Sequence, residues 1–94
     1  LYTIPVCQNP SGATMSAARK QEIYDICVKY DVIICEDDPY YFLQAGPYVH
    51  QHLRITATES DDQFLASLVP SFLAFDKFGY VVRIDTFSKT IGPG

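Results

Sequence analysis

Three short clusters in this sequence hold side chains capable of chemistry, and each follows an apolar run. The first is Asn9-Pro10-Ser11-Gly12, in which Asn9 offers an amide donor. The second is Glu36-Asp37-Asp38-Pro39-Tyr40-Tyr41, where adjacent carboxylates close the run Val32-Ile33-Ile34-Cys35. Repulsion and burial raise the pKa values of such carboxylates unless a cation or proton donor sits beside them, so something positive is expected there. The third is Thr86-Phe87-Ser88-Lys89, a lysine amine with hydroxyls three and one positions before it. Taken singly, these are an ordinary turn, a solvated acidic loop and a surface lysine. Together, and in this order, they supply an amine, a carboxylate and several hydrogen-bond donors.

That combination meets the needs of a pyridoxal cofactor, whose aldehyde needs an amine, whose ring nitrogen needs a carboxylate and whose phenolic oxygen needs donors. Lys89 would hold the cofactor, give it up to an incoming amino acid, and then move the α-proton as acid and base. Asp37 would keep the ring nitrogen protonated, Asn9 and Tyr40 would donate to the phenolic oxygen, and Thr86 and Ser88 would reach phosphate oxygens. Asp38 with Tyr41 has the same spacing as Asp37 with Tyr40. Spacing alone therefore leaves the register open.

The elements that must position these groups follow from the pattern. Residues 1–6 are β-branched and aromatic and end at the breakers Gln8-Asn9-Pro10-Ser11-Gly12, which predicts a strand feeding a tight loop. Ser16 is placed to cap a helix beginning at Ala17, with Ile23, Ile26, Cys27 and Tyr30 on its apolar face and Arg19, Lys20, Glu22, Asp25 and Lys29 on the others. A helix of about four turns is expected. Val32-Ile33-Ile34-Cys35 has no polar alternation and reads as a strand buried on both faces of a parallel sheet. Strand, helix and strand make a right-handed βαβ unit, whose strands present their carboxyl ends to the rim where ligands bind in open α/β sheets. Residues 42–70 show no clear period, apart from a short helix expected over 62–68 and capped by Ser60 or Asp61. Residues 71–75, a turn at Asp76-Lys77-Phe78-Gly79, and residues 80–84 suggest a hairpin. If its second strand joins the sheet in parallel, residues 8–12, 36–41 and 86–94 converge on one edge.

Composition narrows the classes of function. Ninety-four residues allow one small domain, and 48% hydrophobic residues with seven Tyr and six Phe mark a globular core. A formal charge of −4 with scattered Lys and Arg leaves no basic field for a phosphate backbone, so nucleic acid is not an expected partner. No stretch approaches the roughly 20 apolar residues needed to cross a bilayer. The three cysteines, Cys7, Cys27 and Cys35, show neither paired nor metal-like spacing. They read as small core residues in a reducing, cytoplasmic setting, and no metal is expected. The chain opens on Leu1 and stops at Gly94 after a Gly-Pro-Gly run, which suggests an internal piece of a longer protein whose missing start leaves room for a targeting segment.

The three clusters resemble the motifs of the class I/II aminotransferases, fold type I enzymes that depend on pyridoxal 5'-phosphate. Pro5-Val6-Cys7-Gln8-Asn9-Pro10-Ser11-Gly12 is similar to the family's Asn-Pro-(Ser/Thr)-Gly element, whose asparagine contacts the phenolic oxygen. Glu36-Asp37-Asp38-Pro39-Tyr40-Tyr41 is similar to its acidic motif, and the resemblance selects Asp37 for the ring nitrogen and Tyr40 for the phenolic oxygen, with Pro39 packed between them. Asp85-Thr86-Phe87-Ser88-Lys89 with Gly92-Pro93-Gly94 resembles the lysine segment, Thr86 keeping the hydroxyl of the commoner serine. The wording from Glu36 to Gln44 and Val69-Pro70-Ser71-Phe72-Leu73 is most similar to kynurenine/2-aminoadipate and fungal aromatic aminotransferases.

The resemblance implies an α/β fold, with residues 1–94 forming part of the large, mainly parallel-sheet cofactor domain, and the small domain and flanking segments absent. It implies transamination between an amino acid and a 2-oxo acid in a longer parent enzyme, commonly a homodimer, with the fragment alone inactive. Two other readings remain at this point: a cofactor-binding effector domain of a transcription regulator, decided by an upstream DNA-binding domain, or a noncatalytic truncated product. The last should aggregate or need a partner, because its sheet would lack the helices that cover it.

Overall fold

The computed structural model describes residues 1–54 and 60–92. Strands β1 (Tyr2–Thr3), β2 (Ile34–Asp37) and β3 (Val81–Ile84) form one sheet in the order β1-β2-β3, with both pairings parallel. Helices α1 (Ala17–Lys29) and α2 (Asp61–Ser67) and three short 3-10 turns complete the described elements. Pro93 and Gly94, the end of the expected lysine segment, lie outside the described residues.

The first strand is shorter than the sequence predicts. Only Tyr2 and Thr3 pair with β2, opposite Cys35 and Glu36. Pro5 then brings no N–H to the ladder, and its carbonyl instead accepts a bond from Met15 N at 2.8 Å. Helix α1 starts where Ser16 predicts it, the serine side chain accepting from Arg19 N at 3.3 Å. Its buried stripe differs from the expected one. Lys20, Tyr24 and Cys27 are buried, whereas Ile26 and Tyr30 are exposed. Lys20 is drawn inward because its Nζ donates to Pro70 O at 2.7 Å and lies 5.8 Å from the centre of the Phe72 ring. Burial pushes the Lys20 amine below its ordinary value, against the opposing pull of Glu36 and Asp38.

The hairpin expected over residues 71–84 does not form. Phe72–Phe75 is a 3-10 turn, and β3 joins β2 in parallel. The cause is polar rather than apolar. The fully buried Glu36 carboxylate accepts from Ser71 Oγ at 2.6 Å and from Phe72 N at 2.8 Å, while Ser71 Oγ accepts from Leu73 N at 2.9 Å. These bonds satisfy by a turn the groups that a strand would pair with a neighbour. Asp76 then gathers the next N–H groups: Gly79 at 2.9 Å and Tyr80 at 3.0 Å on Oδ1, and Val81 at 3.2 Å on Oδ2. Gly79, at φ 78°, supplies the left-handed residue that this tight path requires.

One face of the sheet is covered and the other is not. Tyr24, Cys27, Ile34 and Phe72 form the core, with Met15, Ile23, Val28, Tyr80 and Val81 packed against it. Alternation along β2 sends Ile34 and Glu36 to this covered side, and Asp38, just past the strand, is buried as well. Tyr2, Val82 and Ile84, on the opposite face, are exposed. Of the cysteines, Cys27 joins the core, Cys7 and Cys35 are half-buried, and all three are free.

Glu36 is the joint between the sheet and the Ser71–Phe75 segment. Replacing it with alanine leaves a buried hydroxyl and a buried N–H unpaired, and should cost about 3 kcal/mol in denaturant unfolding of the full-length protein. Glu36→Gln, which keeps an acceptor, should cost less. A loss under about 1 kcal/mol for the alanine variant would show that the joint is not needed.

Candidate active site

The sheet puts two of the three clusters side by side. Asp37, the last residue of β2, pairs with Ile84, the last residue of β3. Because the strands are parallel, the segment beginning at Asp38 and the segment beginning at Asp85 leave the sheet at the same edge. Tyr40 is half-buried and leads into the 3-10 turn Tyr41–Leu43. Thr86, Ser88 and Lys89 follow β3 directly, with Thr86 and Lys89 exposed and Ser88 half-buried. Here Thr86 Oγ1 lies 3.1 Å from Ser88 Oγ and accepts from Ser88 N at 3.2 Å. Phe87 O takes Thr90 N at 3.1 Å and Ile91 N at 3.0 Å, so Lys89 sits within one helical turn. Asn9 is exposed in its loop, where Gly12 N and Ala13 O both bond Gln8. Among the described residues, neither the Asn9 side chain nor Lys89 bonds another candidate.

Asp37 and Asp38 point to opposite faces of the sheet, and this separates two residues that spacing alone could not. Asp37 lies on the open face with Cys35 and accepts the Tyr2 hydroxyl, a bond that raises the tyrosine above its ordinary pKa. The Tyr2–Cys35 register sets that contact. It could not be read without knowing which strands pair.

Asp38 lies on the covered face. It is 2% exposed, neither carboxylate oxygen has a hydrogen-bond partner among the described residues, and burial pushes its pKa up to about 6. Arg83 pulls in the other direction, with Nη1 3.6 Å from Asp38 Oδ2. Here is the cation that the acidic cluster calls for; the Lys20 charge adds to it more weakly. The folded-state value lies above the ordinary 3.8, so Asp38 holds its proton more tightly in the folded chain. Its contribution to stability is fully present below the ordinary 3.8, declines above it, and is lost as pH rises through about 6.

A cavity of about 830 Å³ opens on the same side, lined by Asp38, Pro39, Tyr41, Arg83, Asp85 and Thr86 together with apolar side chains. Of the residues expected at the cofactor, Pro39 and Thr86 line it, whereas Asn9, Asp37, Tyr40, Ser88 and Lys89 do not. Among the described residues, no cluster of His, Cys, Asp or Glu is placed to hold a metal ion. No helix among them is long and apolar enough to cross a membrane.

No family model matches the chain. Known proteins do match it from end to end. It is 45% identical over 94 residues to an aromatic amino acid aminotransferase of Schizosaccharomyces pombe, covering 100% of this chain and 20% of that protein. It is 50% identical over 95 residues to an L-tyrosine:2-oxoglutarate aminotransferase of Serpula lacrymans, covering 100% of this chain and 18% of that one. The fold agrees: aminotransferase Aro8 from Candida albicans superposes with a TM-score of 0.90 at 50% identity, over 100% of this chain and 20% of that structure. The chain is an aminotransferase homologue. The chain spans about a fifth of the length of the relatives it matches. Its three parallel strands with flanking helices are the corresponding part of their α/β domain, as the sequence predicts.

Two residues of the candidate site escaped sequence reasoning. Arg83 contacts both strand-end segments, and Tyr2 bonds Asp37. The signal for Arg83 was the unmet charge of the acidic cluster. No local pattern singled out this arginine, because the contact depends on the β2–β3 register that sets it opposite Glu36.

Proposed function

We propose that this chain forms part of the cofactor site of a transaminase that uses pyridoxal 5'-phosphate, with an aromatic amino acid as donor and a 2-oxo acid as acceptor. The observation that carries this reading is the parallel pairing of Asp37 with Ile84, which sends the acidic and lysine segments off the same sheet edge. Identity to aminotransferases along the whole chain supports it. The donor set also suits the cofactor. It combines an exposed amine at Lys89, a carboxylate at Asp37 that already accepts a phenolic hydroxyl, and the Thr86 and Ser88 hydroxyls 3.1 Å apart.

Pyridoxal 5'-phosphate supplies an aldehyde that takes up the substrate amine and a ring that draws off the electrons left when the α-proton is removed. Lys89 Nζ would anchor the cofactor and, as a free amine, would carry the substrate's α-proton. Asp37 holds a proton on the ring nitrogen. Asn9 and Tyr40 would donate to the phenolic oxygen, Pro39 would pack against the ring, and Thr86 and Ser88 would hold phosphate oxygens. In this reading the full-length protein is a homodimer with amino acid and 2-oxo acid as its ligands. On the same reading the full-length protein works in the cytoplasm, a reducing compartment that suits three free cysteines.

Incubating the full-length protein with pyridoxal 5'-phosphate, L-tyrosine and 2-oxoglutarate should release glutamate at a rate that follows enzyme concentration. Cofactor binding without glutamate release from tyrosine, phenylalanine or kynurenine would refute the donor class.

A further inference from the structure

We propose that Arg83 is a positioning residue that staples the two strand-end segments into one cofactor cradle, through simultaneous contacts with Asp38, Asp85 and Tyr41. The inference rests on the proposed cofactor site and adds a residue that no motif contains. The guanidinium grips Asp85 with two groups, Nε at 3.0 Å from each carboxylate oxygen and Nη2 at 2.8 Å from Oδ1. Nη1 stands 3.6 Å from Asp38 Oδ2, and the guanidinium carbon lies 4.3 Å from the centre of the Tyr41 ring. Each of these partners is the sequence neighbour of a residue assigned to the cofactor: Asp38 of Asp37, Tyr41 of Tyr40, and Asp85 of Thr86.

The geometry explains why an arginine stands here. The side chain is 13% exposed, and burial alone would lower its pKa, but the pull of Asp85 and Asp38 outweighs this and keeps the charge fixed. A planar fork can face two carboxylates and an aromatic ring at once, whereas a lysine ammonium is a single point. Asp38 and Arg83 sit on the covered face while Asp37 lies on the open one. Arg83 therefore acts on the cofactor groups through the backbone of their neighbours. Other charges near it are Glu36, held by Ser71 and Phe72, and Lys20, held by Pro70. Neither links the acidic and lysine segments.

The test uses the full-length protein and three readouts: the Kd for pyridoxal 5'-phosphate, the pH midpoint of the bound cofactor's absorbance, and the Tm of the apoprotein. Arg83→Lys should raise Kd about 10-fold or more and displace the pH midpoint while the apoprotein Tm changes little, because misplaced groups lose orientation before the fold is lost. Asp85→Asn severs one arm at a side chain that is 59% exposed and should act in the same direction, and Asp85→Glu should restore part of the loss. The Asp85 pair decides the matter if Arg83→Lys fails to fold. Native Kd and midpoint in both Arg83→Lys and Asp85→Asn would overturn the staple and leave the cofactor site standing. An unsubstituted protein that binds no pyridoxal phosphate would overturn the site and the staple with it.

Discussion

Lys89→Ala should abolish the near-visible absorbance of the lysine-held cofactor in the full-length protein and lower turnover on the order of 10,000-fold, since both the anchor and the proton carrier are lost. The loss should leave the fold intact. Lys89 is exposed, and its side chain makes no hydrogen bond or ion pair among the described residues. Substitutions at such positions usually change stability by less than about 0.5 kcal/mol. The expected result is therefore a dead enzyme with a native melting curve, read by absorbance and thermal denaturation on one preparation. A variant that keeps its absorbance band would mean that another amine holds the cofactor.

The second large effect separates the two aspartates. Asp37→Asn should retain cofactor and lose turnover on the order of 1000-fold, because a neutral amide cannot hold the proton on the ring nitrogen as the charge develops. Asp38→Asn should be mild in turnover and visible in stability instead. Removing a buried carboxylate whose value stands at about 6 should make the variant's Tm, relative to the native protein, improve as pH rises through that value. The two side chains face opposite sides of the sheet, so the ranking also reports which face the ring occupies. The reverse ranking, with Asp38→Asn the inactive variant, would move the ring to the covered face and its cavity.

Caps and strand-end breakers are legible in the sequence, whereas the buried stripe of α1 and the long-range contacts are not. Ser16 capping α1 and Ser60 capping α2 are local bonds, from Arg19 N and Gln63 N; residue type placed the first and narrowed the second to Ser60 or Asp61, of which the structure selects Ser60. Helix α2 runs Asp61–Ser67, one residue earlier at each end than expected. The apolar run before Glu36 foretold a parallel strand, although its ladder begins only at Ile34. What failed was decided by partners far along the chain. The Phe72-Leu73-Ala74-Phe75 run is as apolar as a strand, but Glu36, 35 positions before Ser71, bends it into a turn. Lys20 has the residue type of a solvated face, yet Pro70 O and the Phe72 ring draw it inside. For the site, the order of the clusters was legible because each follows a strand. The opposed directions of Asp37 and Asp38, the Tyr2 contact and the bridging role of Arg83 follow from strand register, which sequence spacing does not contain.

The account turns on one covalent attachment and its neighbour: the amine of Lys89 holding a ring whose nitrogen faces Asp37. Borohydride reduction of the cofactor-loaded full-length protein, followed by peptide mass mapping, reads the attachment directly. The account predicts the pyridoxyl mass on the peptide that contains Lys89, and on the same peptide in the Asp37→Asn variant. Label on Lys20, Lys29, Lys77 or a lysine outside this segment, with Lys89 unmodified, would contradict it.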